Sequence, residues 1–289
     1  MPPPAAKKAE HDVMTYADTV LGFAHLAQKK GHNLRSDPMA FLVLALKAGA
    51  FVGAGILLIF SLGQGVDDAI RPIVMGASFG IALTLVVFAG AELFTGHTMY
   101  MTHGLLTGAS GVGDLLRCWG ASWAGNLIGA LLLALLFVAG GGGLILGAGE
   151  DALLYKVAAK KTQGSGLELF AKAILCNWLV CLALWCSARA KDDVTKCIVI
   201  FWCLYAFIAA GFEHSVANMT VFSVALLSDY PEGISLAGAA HNLIFVTLGN
   251  TFAGAGIMGY GYWRAASRPR VSVVSSDEFL GEKSQTEAG

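Results

Sequence analysis

The chain has 289 residues, of which 56% are hydrophobic and only 13% charged, with 36 glycines and a net charge of −1. A soluble domain would carry about 25% charged residues, so the composition points to a polytopic membrane protein. The near-zero net charge excludes nucleic acid as a partner, and the six cysteines form no CxxC pair and no Cys/His metal spacing.

In chain order, residues 1–12 are too polar and proline-rich to bury anything. Residues 13–30 read as amphipathic, with Val13, Tyr16, Val20, Phe23, Ala24 and Ala27 on one face. That segment is expected on the cytoplasmic surface, where it either packs or gates. The first long apolar run starts at Met39, with no secretory signal before it, and extends to Phe60. From Pro72 to Gly113 the one formal charge is Glu92. As one helix this run would reach about 63 Å, twice the hydrocarbon thickness, so a break is expected within GAELFTGHTM at 90–99. A third span begins near Trp119, residues 144–166 read as a polar loop with Lys156, Lys160 and Lys161, and a fourth span covers about Leu169 to Ala188. The stretch 197–228 is again too long for one crossing and should break at Glu213-His214, within GFEHSVANM. A sixth span runs from Leu236 to Trp263, and the tail from Arg264 is expected to be loose. The domain plan is a cytoplasmic segment 1–37, a channel domain 38–265 and a flexible tail 266–289.

The chain repeats itself. KAGAFVGAGILLIF at 47–60 lies over KAILCNWLVCLALW at 172–185, GAE at 90–92 over GFE at 211–213, and Gly-Asn at 125–126 over Gly-Asn at 249–250. The halves, about 38–145 and 165–265, hold three spans each, and an odd number forces opposite orientations. This is the inverted-repeat plan of transporters and channels. Lysines and arginines concentrate on the side of the two termini, which places both in the cytoplasm.

Chemistry concentrates at the two breaks: Glu92, Thr95 and His97 in one half, Glu213, His214 and Asn218 in the other, with Asn177 mid-span between them. Exposed helix N-termini attract anions, and no carboxylate cluster awaits a cation, so the permeant should be a small anion. Glu92 and Glu213 are expected mainly to hold backbone donors of the breaks, because a deep carboxylate must find donors or protonate. His214 is the candidate centre; it could attract an anion as a fixed charge or hand it a proton. Lys47 and Lys172 read as snorkelling or structural, His103 and His241 as interhelical partners, and Trp119, Trp123 and Trp263 as interface anchors. No nucleophile–base or cofactor-binding constellation suggests an enzyme, and a membrane sensor has no soluble domain to support it. The paired Asn-Pro-Ala signatures of water and glycerol channels are absent.

Four motifs in order, GAELFTGHTM at 90–99, CNWLVCLALW at 176–185, GFEHSVANM at 211–219 and TLGNTFAG at 247–254, resemble the formate/nitrite transporter family over residues 15 to 265. TGHTM and RPIVMGASFGIALTL at 71–85 are most similar to its nitrite-carrying members; formate and hydrosulfide are the alternative permeants. The resemblance implies an aquaporin-like protomer of six transmembrane helices with the second and fifth broken, five protomers in a ring and a pore through each. It places such a protein in a bacterial inner membrane, moving nitrite by a channel or a proton-coupled carrier, without a cofactor. It implies that His214 and Thr95 face each other with Asn177 and Asn218 nearby. It further implies apolar constrictions from Phe79, Leu83, Leu93, Val180 and Phe207, a lysine at the outer mouth at Lys161, and gating by residues 13–30.

Overall fold

A computed structural model describes residues 14–229 and 231–271. Every regular element among them is helical. Helix α1 (Tyr16–Ser36) starts at a capping box in which Thr15 and Asp18 bond each other's backbone. Asp37 then caps α2 (Pro38–Gly63), whose first position is proline. Next come α3 (Arg71–Ser78) and α4 (Ile81–Phe88), which form one apolar run interrupted at Phe79-Gly80, then α5 (Phe94–Thr107) and α6 (Val112–Ala139). After the short α7 (Gly143–Leu146) and α8 (Leu153–Gln163), the second half follows as α9 (Gly166–Arg189), α10 (Asp193–Ala209), α11 (Ser215–Leu226) and α12 (Leu236–Thr251). The last helix continues through a π-helical stretch, Phe252–Tyr260, into α13 (Gly261–Ala265).

Five of these runs are long and apolar enough to cross a membrane: Pro38–Gly63, Arg71–Phe88, Val112–Ala139, Gly166–Arg189 and Leu236–Ala265. Ser215–Leu226 is a shorter apolar helix. The main contacts follow the repeat, α2 on α6 and α9 on α12. Without a hydrophobic drive between helices in lipid, close packing needs small residues. A Cβ on Gly49 would strike the carbonyl of Asn126, and one on Gly129 the carbonyl of Leu46; in the second half a Cβ on Gly249 would strike the carbonyl of Phe170.

Three sequence expectations change, and the packing expected of the N-terminal segment is seen. Residues 144–166 are not a polar loop: α8 lies there with Leu154, Tyr155 and Ala158 buried, and packs on α11 and α12. Its lysines mask an apolar stripe. Helix α1 buries Val20, Phe23, Ala24 and Ala27, chiefly against α5, and so is part of the helical body. The tail is docked as far as it is described: Trp263 Nε1 donates to the Pro269 carbonyl, Arg268 lies over the Trp263 ring and the Val271 N–H reaches Thr107 O at 3.1 Å. The rest of the tail and residues 1–12, with Val13, lie outside the described residues. Finally, the third span starts at Val112, about two turns before Trp119.

Candidate functional site

Each break is built from the same parts. At the end of α4, Gly90 takes φ +74°, and at the end of α10, Gly211 takes φ +69°, the left-handed region that glycine enters without strain. The chain then doubles back, with the Ala91 N–H on Val86 O and the Phe212 N–H on Phe207 O. The next residues run extended across the neighbouring span, where the Glu92 N–H meets Leu44 O at 3.1 Å and the Glu213 N–H meets Lys172 O at 3.4 Å. A buried asparagine closes each break. Asn126 Oδ1 accepts from the Phe94 N–H while its Nδ2 donates to the carbonyls of Ala45 and Glu92. Asn250 Oδ1 accepts from the Ser215 N–H while its Nδ2 donates to the carbonyls of Ala173 and Glu213.

The glutamates are therefore not the holders of the break's backbone. Glu92 Oε2 accepts from Lys30 and from His97 Nε2 at 2.6 Å; Glu213 Oε2 accepts from Lys161 Nζ at 2.8 Å and Asn218 Nδ2 at 2.6 Å. The asparagine amide offers a donor and an acceptor in one plane, which a carboxylate cannot. The pairing also corrects the repeat's register. Ala45 matches Ala173, and Leu44 matches Lys172, an offset of 128, so Lys47 and Lys172 are not equivalent. Lys172 instead pairs with Glu168 at 2.5 Å.

Between the breaks lies a small cavity of about 10 Å³, lined by Val52, Phe79, Ala82, Leu83, Leu93, Val180, Leu204, Phe207 and His214. This is room for about one water. All five residues expected at the constrictions are here, each at most 4% exposed. They surround a single closed space, with Phe207 stacked on His214 at 5.9 Å and edge-on to Phe79 at 5.5 Å. Leu93 and His214 are the N-caps of α5 and α11, so two positive helix ends meet this apolar chamber.

His214 is its polar group. Nδ1 accepts from the Ala217 N–H at 3.1 Å, and Nε2 lies 3.2 Å from Thr95 Oγ1. A backbone N–H only donates, so the neutral ring carries its proton on Nε2 and offers it to Thr95. Asn177 stands behind this pair rather than in the chamber. Its Nδ2 donates to Asn250 O at 2.7 Å and shares its other hydrogen between Thr98 Oγ1 at 3.1 Å and Thr95 O at 3.3 Å, which helps to fix the backbone that carries Thr95. Close packing permits this, because a Cβ on Gly254 in the π-helical stretch would collide with Thr98. Asn218 serves the Glu213 break and also bonds Asn242 Oδ1 at 2.8 Å.

A larger space opens on each side. One, of about 260 Å³, lies beside α8 and is lined by Lys160, Lys161, Lys172, Phe207, Glu213 and His214 among others. The other, of about 620 Å³, lies beside α1 with Phe23, Lys29, Lys30, Glu92, Leu93 and Lys196. Lys161 is an ion-pair partner of Glu213 and sits inside its vestibule, with 16% of its side chain exposed. Trp119 Nε1 donates to the His97 carbonyl and Trp123 Nε1 to Thr247 Oγ1, so these indoles tie helices together. His241 Nε2 meets Gly164 O at 3.2 Å, whereas His103 stacks on Phe23 and Trp185 with neither nitrogen partnered. Asn126, Asn250 and Lys30 carry site geometry that sequence reading did not single out; the repeated Gly-Asn pair was the available signal for the asparagines.

A closed apolar chamber with one hydrogen-bond donor, between two broken membrane helices and two lysine-lined vestibules, defines a pore protein for small polar solutes. The chain belongs to the formate/nitrite transporter family, whose pattern matches residues 18–264. It is similar to the Nitrite transporter NirC of Escherichia coli K12, 45% identical over 274 residues, which span 95% of this chain and 100% of the relative. NirC of Salmonella typhimurium is also 45% identical, over 91% of this chain and 98% of its own. Among solved structures, an FNT family ion channel superposes with a TM-score of 0.84 at 47% identity, over 86% of this chain and 98% of that one. A pentameric formate channel with formate bound superposes at 0.67 and 27% identity, over 80% and 98%.

Proposed function

We propose that this chain carries nitrite across a bacterial inner membrane, as a six-span inverted-repeat protomer of a homopentamer with both termini cytoplasmic. The N-terminal segment up to residue 37 and the tail from 266 flank the channel domain at 38–265. The α1-side vestibule is then the inner mouth and the α8-side vestibule the outer. The observation that carries the reading is the His214–Thr95 pair at two helix N-termini inside an apolar collar. The nitrite transporters at 45% identity favour nitrite over formate, and the pentameric relative favours a ring of five.

The geometry supports a pore centre that stays neutral. A charged His214 would need a proton on Nδ1, facing the Ala217 N–H, and would lose the cap of α11. The neutral ring keeps that cap and presents Nε2–H. An anion that sheds water between Phe207 and Leu93 gains Nε2–H, the Thr95 hydroxyl and two helix dipoles in exchange. The chamber is smaller than nitrite, so Phe207 and its neighbours must swing aside as each ion passes.

Stopped-flow flux in proteoliposomes, comparing nitrite, formate, hydrosulfide, nitrate and glycerol, tests this. Nitrite should be carried fastest and glycerol not at all. Formate or hydrosulfide clearly ahead of nitrite would overturn the choice of permeant. Nitrate, of similar size but the anion of a strong acid, separates the mechanisms: a hydrogen-bond donor passes it, whereas proton hand-over excludes it.

A further inference from the structure

The two break glutamates differ in one partner. Positions 97 and 218 match across the repeat, and each bonds the glutamate of its own break. Asn218 is a neutral amide, so Lys161 is the cation that balances Glu213. His97 is titratable, and it shares a single oxygen of Glu92, Oε2, with Lys30.

The hydrogen bonds fix the neutral form of His97. A carboxylate accepts, so Nε2 holds the proton, and Nδ1 is a bare lone pair, buried without a partner. A second proton can go only to Nδ1. His97 then neutralises Glu92 by itself, and Lys30 becomes a surplus cation on the same oxygen. Lys30 is able to leave, because its side chain is 12% exposed and lines the 620 Å³ vestibule beside Lys29 and Lys196. The groups facing His97 do not supply another countercharge. The phenol of Tyr100 is its neighbour along α5, α6 brings Trp119 and the nearby Cys118 thiol, and α2 presents the edge of Phe41.

We propose that His97 is a proton-responsive positioning residue: by taking up a proton it releases Lys30 from Glu92 to bind the permeant anion in the α1-side vestibule. The α8-side vestibule lacks this response, because Asn218 cannot take the proton. Transport is then favoured by acid on the α1 side alone. This rests on the reading of the chamber as the anion path and of the α1 side as cytoplasmic.

Everted membrane vesicles, whose bath faces the α1 side, test it with nitrite, which remains an anion throughout the range used. Lowering the bath from neutral pH into the acid range below the ordinary imidazole value of about 6.5 should lower KM about fivefold, the effect of about one unit charge at close range in water-like surroundings. His97→Asn, which copies the other break, should erase the shift while leaving KM in right-side-out vesicles unchanged. Lys30→Gln should give the high KM at both pH values. A pH shift of parental size in either variant overturns the proposal, and His97→Gln repeats the measurement if the asparagine variant does not accumulate. A parent with nitrite flux but no KM shift refutes this inference and spares the assigned function. A parent that carries formate and not nitrite refutes the permeant, and the same comparison is then read with formate.

Discussion

The break at 89–93 and the break at 210–214 share a backbone and differ in what they do with it. Left-handed Gly90 and Gly211, the extended glutamates and the closing Asn126 and Asn250 superimpose in role. The side chains then diverge. Where the first break places Leu93 at the chamber, the second places His214; where the first is balanced by Lys30 and His97, the second is balanced by Lys161 and Asn218. The lesson is a division of labour. Symmetric residues build the re-entrant backbone, and asymmetric ones give it a polar centre and two unlike mouths.

The largest effect should come from the symmetric part. Asn126→Leu and Asn250→Leu each strand one buried N–H and the carbonyl of the break glutamate, at about 1–3 kcal/mol for each group left unpaired. Both should abolish accumulation of folded oligomer, read by size-exclusion chromatography in detergent. By contrast, Glu213→Leu should fold and lose mainly anion affinity, because Glu213 holds Lys161 and Asn218 and not the break. An unfolded Glu213→Leu beside a folded Asn250→Leu would invert this assignment.

Next comes the polar centre. His214→Asn keeps a side-chain oxygen at the N-cap of α11, a position asparagine favours, but is too short to hold the Thr95 hydroxyl. Nitrite flux should fall more than about tenfold, the loss of a hydrogen bond to a charged species, with thermal stability near that of the parent. Retained flux would move the chemistry away from His214. His214→Arg supplies a charge but no acceptor for the Ala217 N–H, and should bind nitrite while passing little of it.

Much of the fold was legible. Charge-free runs too long for one crossing located both breaks, and the pairing of His214 with Thr95 followed from the family motifs. What escaped reading has physical reasons. Asn126 and Asn250 lie in otherwise apolar spans, and only the hydrogen-bond inventory of a break shows why an amide outranks a carboxylate there. The matched lysines at 47 and 172 misled because similar apolar helices align well in several registers, whereas backbone contacts to Glu92 and Glu213 select one. Lysines 160 and 161 made α8 read as solvent-facing, although Leu154, Tyr155 and Ala158 form a buried stripe beneath them.

A moderate effect is expected at the collar. Position 207 matches position 86 across the repeat, both accepting from the doubled-back chain, but only the phenylalanine stacks on His214. Phe207→Ala should open the α8 side of the chamber, raise the flux of larger carboxylates several-fold by the loss of a dewetting constriction, and retain nitrite flux. Size selectivity equal to the parent's, in a folded oligomer, would remove Phe207 from the gate.

The smallest effect concerns how each glutamate's lysine is carried. Lys161 sits on an internal helix, whereas Lys30 sits on α1, which starts at the Thr15–Asp18 capping box. Replacing an N-cap threonine by alanine removes about 1 kcal/mol from a helix. Arg189 still ties this end through Thr15 O and Thr19 Oγ1, so Thr15→Ala should fray the first turn and leave the Lys30–Glu92 pair in place. Hydrogen bonds from the Thr15 side chain and backbone hold the Asp18 carboxyl below its ordinary value. A group depressed on folding stabilises above its unfolded value and loses that contribution as pH falls through the folded one. The cap should therefore be intact at neutral pH and weaken only below about pH 4. Amide exchange over residues 16–20 should quicken in Thr15→Ala at neutral pH and in the parent only in acid, with exchange around Glu213 unmoved in both. Exchange at residues 26–33 rising together with that at 16–20 would show that α1 leaves as one unit, and that the first break's countercharge depends on a cap about four turns away.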